Sequence, residues 1–376
     1  MIRKITVLLA GMLVTVAAFA AGAQLRANHP DSYTVRRGDT LWAISAKFLA
    51  KPWLWPEIWQ ANPQVRNPHL IYPGDVLNLS FINGGAGLKL EPSVHAEGDA
   101  IPAIPLSELQ TFLKELRVVD SNELNDSPYV VGLEEARLRG TVGQNIYVRK
   151  LQGTPGQRWA IVRPTHVFRG FDQNAPGSAD SEVVSHDLDA NVALVDGPWS
   201  ENFRNDGHYG RGKDLGVEVS VIGTAETLRM GDPSTLLLLN ATRDIRPGDR
   251  ILPIDDAPYD AYYYPHPPKS IPKDAKVISF ADAMDAVGPR QVVALSVGAH
   301  DGAENGQTYS IYQPGDTIHD DVASSSWHRD VGQKVTLPSE YVGHVMIFRT
   351  FDRVSYGLVM DGLRPVKKGN ELRMPD

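Results

Sequence analysis

Turn residues cut this chain into short runs, and that punctuation restricts its fold more than any other feature. Runs rich in Val, Ile, Leu and Tyr recur: 145–149, 159–163, 218–222, 235–240, 291–297, 308–312, 342–348 and 355–360. Gly, Pro, Asn and Asp sit between them, and the 376 residues include 33 glycines and 27 prolines. From about Pro128 onward this pattern predicts mostly antiparallel β modules, barrel- or sandwich-like. Phe280 to Ala286 is the helix expected within that zone. A hydrophobic share of 42% is ample for packed cores.

A weak internal repeat lies in the β zone. One copy runs from Val221-Ile-Gly through Arg246-Pro-Gly-Asp249 to Pro253; the other runs from Val342-Gly-His through Lys367-Lys-Gly-Asn370 to Pro375. Both read as strand, strand, a Gly-Asx turn and a last strand, which supports two related modules over one large one. The Tyr/Pro-rich stretch 259–272 separates them and reads as extended.

Composition excludes several functions. With no cysteine there are no disulfides, thiolate zinc sites, iron–sulfur clusters, cysteine nucleophiles or lipoprotein anchors. A net charge of −8 argues against nucleic acid, which needs clustered Lys and Arg. Met1-Ile-Arg-Lys4, the apolar run Ile5–Phe19 and Ala21-Gly-Ala23 follow the secretory-signal pattern, with cleavage expected after Ala23. The apolar run is about 15 residues, short of the roughly 20 that span a bilayer. The expectation is a soluble protein exported to the periplasm.

Residues 33–79 form a compact block holding four of the seven tryptophans. Tyr33-Thr-Val-Arg36 alternates like a strand, and Gly38 permits a tight turn. Asp39 or Thr40 can cap a helix whose Leu41, Ile44 and Phe48 share one face. Pro56 suits the first turn of a second helix, and Asn62-Pro63 stops it. Pro73-Gly74 turns the chain into Val76–Leu79, a second strand. The result is β-α-α-β, with aromatics serving mainly a thin core. Beyond it, residues 81–105 turn to Gly, Pro, Ala and Ser and read as a linker. Ser107 and Gln110 form a capping box for a helix carrying Leu109, Phe112, Leu113 and Leu116.

Tyr33-Thr-Val-x-x-Gly-Asp-Thr-Leu41, Asn62-Pro63 and Leu70-Ile-Tyr-Pro-Gly-Asp75 together resemble a LysM domain from end to end, apart from a longer middle at Lys51-Pro-Trp-Leu-Trp-Pro56. The resemblance implies binding of the N-acetylglucosamine glycans of peptidoglycan in a shallow groove between two loops. Those loops map to Gly38, Asp39, Thr40 and Leu41, and to Asn67, His69, Leu70 and Ile71. An N-acetyl group offers one N–H, one C=O and a methyl, so backbone groups can pair with it while apolar side chains cover the methyl. Helix capping by Asp39 and Thr40, and core packing by Leu41 and Ile71, are the competing roles. Trp42, Trp53 and Trp55 are either core or stacking platforms for sugar faces.

No catalytic signature accompanies the block. There is no His-x-His, His-Glu-x-x-His or Gly-x-Ser-x-Gly. Ser270-Ile-Pro-Lys273 fits Ser-x-x-Lys by letter, but Pro272 opposes the helix that motif needs. Glu134-Glu135, read in a strand, point to opposite faces, and Asp255-Asp256 and Asp320-Asp321 read as solvated turns. His266 and His344 read as structural or exposed. No cofactor, metal or catalytic residue is expected.

The segment 292–312 resembles the small β modules of flagellar and secretin-accessory envelope proteins. The whole arrangement resembles LysM proteins associated with the type IV pilus secretin. The expected organisation is α+β: signal peptide 1–23, LysM domain 30–80, linker 81–105, a first β-rich module with a leading helix 106–258, connector 259–272 and a second β-rich module 273–376. The resemblance implies a non-enzymatic adaptor that holds peptidoglycan at one end and an outer-membrane secretin oligomer at the other, with a homo-oligomeric ring as one arrangement. A peptidoglycan-cleaving enzyme of unrecognised fold and a flagellar accessory protein are the alternatives.

Overall fold

The computed structural model describes residues 24–60, 71–82, 85–90, 116–169, 186–187, 214–255, 263–280, 286–320 and 333–375. They fall into two compact units, one holding 24–90 with 263–267 and the other 116–255 with 268–375. Among the described residues no helix is long and apolar enough to cross a membrane.

In the first unit, β1 (Ser32–Thr34) pairs antiparallel with β2 (Val76–Ile82), which pairs with β3 (Gly85–Leu90). Between β1 and β2 lie α1 (Leu41–Phe48), a 3₁₀ turn at Pro52–Leu54 and α2 (Trp55–Gln60). Thr40 caps α1, its Oγ1 accepting from the Ala43 N–H at 3.2 Å. Leu41, Ile44 and Phe48 are fully buried on one stripe and pack with Leu49, Trp55, Ile71, Leu77 and Leu88. The reading of residues 81–90 as linker is corrected. Leu88 sits in this core, and β3 pairs with β2 from Ile82↔Gly85 to Leu77↔Leu90. Glycines suggest flexibility, but Asn-Gly between two runs able to pair is a hairpin signal, and here it prevails. Tyr263 to Pro267, from the stretch read as connector, group with this unit; Tyr263 is buried and the Tyr264 ring lies 6.0 Å from that of Trp55.

The second unit holds two antiparallel sheets that each close into a ring of six strands. The first ring uses β5 (Tyr129–Leu133), β6 (Asn145–Arg149), β7 (Arg158–Arg169), β9 (Asp214–Arg229), β10 (Ser234–Ala241) and β11 (Arg250–Pro253). They neighbour in the order β9-β10-β6-β5-β11-β7, and β7 returns to β9. β4 (Leu116–Val119) and β8 (His186–Asp187) extend its edges, and α3 (Ser121–Asp126) is capped by Asp120. The second ring uses β12 (Val277–Phe280), β14 (Val292–Leu295), β15 (Thr308–Gln313), β18 (Glu340–Thr350), β19 (Ser355–Gly362) and β21 (Glu371–Arg373). Their order is β18-β19-β14-β12-β21-β15, with β15 pairing β18. Backbone bonds between Val277 and the Gly369–Asn370 turn, and a Lys276↔Glu371 bridge, join β21 to β12. Chain order and sheet order therefore correspond strand for strand in the two rings. Two separate two-stranded sheets accompany the second ring: β13 (Ala286–Val287) pairs β20 (Val366–Lys367), and β16 (Thr317–Asp320) pairs β17 (Gln333–Thr336).

One turn recurs at corresponding places. Thr141–Gln144, Thr154–Gln157 and Arg246–Asp249 open β6, β7 and β11; Gly288–Gln291, Glu304–Gln307 and Lys367–Asn370 open β14, β15 and β21. In each, the fourth residue's N–H bonds the first residue's carbonyl. In Thr141–Gln144, Thr154–Gln157, Arg246–Asp249, Gly288–Gln291 and Lys367–Asn370 a side-chain oxygen of the fourth residue also accepts from the first residue's N–H. The neighbouring strand then bonds the turn twice: Val130 N–H to Asp249 O and Gly248 N–H to Val130 O, both 2.8 Å, match Val277 to Asn370 and Gly369 to Val277 at 2.9 and 2.8 Å.

Two expected helices need correction. Leu116 opens β4 and so is no part of a leading helix; Ser107, Leu109, Gln110, Phe112 and Leu113 lie outside the described residues. Phe280 closes β12 and Ala286 opens β13, so the ends of the stretch 280–286 are strand; its middle lies outside the described residues. Local periodicity lost to sheet pairing at these ends.

Candidate functional site

The LysM-like block earns its shape from two turns at one end of a small sheet. β1 and β2 are in register through Thr34↔Val76. Val35 extends the ladder, donating to Asp75 O and accepting from the Gly74 N–H, each at 2.8 Å. The turns Arg36–Asp39 and Tyr72–Asp75 therefore leave the sheet side by side. They are built alike. Asp39 Oδ2 accepts from the Arg36 N–H at 2.8 Å, and Asp75 Oδ2 accepts from the Tyr72 N–H at 2.9 Å. Each also closes a backbone bond, from Asp39 N–H to Arg36 O and from Asp75 N–H to Tyr72 O. Gly38 and Gly74 take φ of 88° and 102°, a region costly for residues with a Cβ.

Within this frame Gly38 is exposed, with open space where a Cβ would stand. Asp39 is half-buried and its Oδ2 also accepts from the Tyr33 hydroxyl at 2.8 Å. Burial, and then the Asp39 carboxylate, push the Tyr33 phenol above its usual pKa. Thr40 is buried as the helix cap, and Leu41 and Ile71 are wholly inside the core. These three side chains shape the rim from beneath. Asn67, His69 and Leu70 lie outside the described residues. Trp42, Trp53 and Trp55 are 3%, 4% and 0% exposed, which leaves no ring face for a sugar. Trp42 and Trp53 pack against each other with centroids 6.4 Å apart.

The other candidates for chemistry are engaged in structure. Glu134 and Glu135 sit in a 3₁₀ turn and not a strand; Glu134 accepts from the Asn145 N–H, and Glu135 pairs with Arg137. The turn wins because Glu135 takes φ 55°, which breaks the extended run after β5. Ser270 and Lys273 lie outside any helix. Asp255 pairs with Arg349 at 2.9 Å, so it is tied down where solvated turns were expected. His344 is buried, its Nδ1 2.8 Å from both the Asp361 carboxylate and the Tyr341 hydroxyl. Among the described residues no three His, Asp or Glu side chains gather as a metal site.

The sequence reading missed a buried polar cluster in the second unit. Glu218 of β9 bonds His166 and Thr165 of β7 through Oε1, both at 2.7 Å. Its Oε2 accepts from the hydroxyl of Tyr356, on β19 of the other ring, at 2.6 Å. Burial pushes the Glu218 carboxyl up, but the bonds from His166, Tyr356 and Thr165 outweigh it and hold it below the usual range. Burial, then Glu218, lift the Tyr356 phenol well above its own. With both carboxylate oxygens engaged, this is a joint between rings. In β9, Glu218 alternates with the core residues Val217 and Val219, which assigns it to the opposite, polar face; only the meeting of the two rings buries it against Tyr356.

Residues 33–80 match the LysM domain family. Over 60 residues the chain is 37% identical to an uncharacterized protein, YqbP, of Bacillus subtilis, covering 13% of this chain and 27% of the relative. Over 48 residues it is 46% identical to the potassium binding protein Kbp of Escherichia coli, covering 12% of this chain and 32% of that protein. The chain thus spans about a third or less of the length of these curated relatives. The LysM match supports binding of N-acetylglucosamine-containing glycans, the sugars of peptidoglycan.

Proposed function

We propose that the chain is a non-enzymatic adaptor of the periplasm that grips peptidoglycan through its LysM domain. The observation that carries this reading is the pair of matched turns, Arg36–Asp39 and Tyr72–Asp75, set side by side at one end of the sheet. Their exposed backbone and the open space over Gly38 offer the shallow, hydrogen-bonding rim an N-acetyl group needs. The two six-stranded rings serve as the partner-binding body. On this reading they hold an outer-membrane secretin oligomer of the type IV pilus kind, and several copies on one oligomer would turn a modest glycan affinity into firm anchoring.

The test is cosedimentation of the mature chain with purified sacculi, with soluble N-acetylglucosamine oligomers as competitor. Retention in the pellet that the oligomer reverses is the expected result. Sedimentation unaffected by the oligomer rejects the glycan reading, and muropeptide release during the incubation rejects the non-enzymatic one. Crosslinking in intact envelopes followed by mass spectrometry tests the secretin; recovery of flagellar components in its place rejects that part.

A further inference from the structure

Residues 24–30 precede the stretch that matches the LysM family, yet they are built into the domain. Ala50 donates to Gln24 O at 2.9 Å, Arg26 N–H donates to Phe48 O at 2.8 Å, and Leu25 bridges Leu49. This segment, β1 and the last turn of α1 enclose an open cavity of about 610 Å³ lined by Arg26, Ala27, Asn28, Pro30, Tyr33 and Lys47. It is wide open to solvent, a depression that admits a charged group without burying it. Two of the six lining residues are cationic and none is acidic.

The cations are placed by specific contacts. Lys47 Nζ lies 4.9 Å from the centroid of the Tyr33 ring, within cation–π range. Arg26 Nη1 donates to Ala46 O at 2.7 Å, which spends one of five N–H donors and steadies the fork. Asn28 adds an amide to the same wall. Tyr33 joins this cavity to the glycan loops, because its ring carries Lys47 while its hydroxyl holds Asp39 beside Gly38.

We infer that this cavity is a carboxylate subsite, and that it takes the acidic peptide stem hanging from the glycan strand. The inference rests on the glycan reading above, since the stem is covalently attached to the sugar next to each N-acetylglucosamine. Free carboxylates on that stem are the groups that an ammonium and a guanidinium recognise. A domain with this subsite distinguishes peptidoglycan from chitin-like polymers, which carry the same N-acetyl sugar and no stem. Lys47 and Arg26 are both exposed, so their charged ends are open to a ligand.

The experiment compares the full mature chain with its Arg26→Gln/Lys47→Gln variant on three probes: intact sacculi, sacculi stripped of stems by an amidase, and N-acetylglucosamine oligomers. The native chain is expected to bind intact sacculi about five- to tenfold more tightly than stripped ones at low salt, the scale of one or two charge-assisted contacts. That margin shrinks as salt rises. The double variant should lose the margin and keep its oligomer affinity. Equal binding of both sacculi by the native chain overturns the subsite and leaves the glycan reading standing. A parallel loss of oligomer affinity in the variant also overturns it, because the cations would then act on the fold. Competition by inorganic phosphate as effective as that by the free stem peptide makes this a general anion site and overturns the assignment. Failure to bind any of the three probes removes the glycan reading itself.

Discussion

Thr40 and Leu41 each carry a structural duty at the edge of the candidate glycan rim. Thr40 satisfies an N–H at the start of α1, and Leu41 fills the core beneath the rim. Thr40→Ala should therefore cost about 1 kcal/mol of stability in the first unit. Leu41→Ala should cost about 2–5 kcal/mol through lost burial and the cavity left behind. Urea unfolding followed by tryptophan emission measures both, since Trp42, Trp53 and Trp55 report on this core. Weakened glycan retention in Leu41→Ala with unchanged unfolding would show instead that Leu41 contacts the sugar. The capping role was legible from Asp-Thr-Leu ahead of an apolar stripe. The Tyr33 bond to Asp39 was not, because a contact six residues away across a turn has no periodic signature.

The two rings share a crowded backbone position. Gly223 of β9 and Gly343 of β18 occupy matching positions, paired with Ala241 and Gly362 at the far ends of β10 and β19. A Cβ on Gly223 would meet Asn240 O at 2.6 Å, and one on Gly343 would collide with the corresponding oxygen of Asp361. Alanine at either position should lower stability by about 1–3 kcal/mol, the range of overpacked sites, read as a fall in thermal midpoint. No loss at both positions would contradict the crowding. The sequence repeat showed half of this correspondence, its last two long strands and the turn before the closing one. The first three strands of each ring have diverged in side chain but kept pairing and turns, which depend on backbone geometry more than on residue identity.

Across the second unit the rings are joined by buried polar groups. Glu218 reaches Tyr356, and Arg349 reaches both Leu116 O at 2.8 Å and Asp255 at 2.9 Å. Tyr356→Phe leaves a buried carboxylate oxygen without its donor and should cost about 1–3 kcal/mol. It should also separate the unfolding of the rings, visible as a broadened or two-step denaturant transition. The lowered Glu218 pKa sets a sign for pH dependence. Its stabilisation is complete above the ordinary glutamate range and is lost as pH falls through the lowered folded value. Glu218→Gln should flatten the decline in stability below about pH 4.3. An identical acid limb in native and Glu218→Gln proteins would show that this carboxylate does not titrate on unfolding.

Read alone, the residues established what local rules govern: a turn-rich β chain, a capped helix with one apolar stripe, Gly-Asp turns and a recognisable small domain. These follow from dihedral preference and side-chain period, which act over a few neighbours. The closure of each sheet, the third strand of the LysM unit, the burial of its tryptophans and the meeting of Glu218 with Tyr356 were settled only in three dimensions. Each joins residues distant in the chain, 138 apart for the last pair, and long-range pairing is chosen by the packing of the whole core. The cationic cavity belongs with them, since Arg26 and Lys47 meet only because the segment 24–30 runs back along the end of α1.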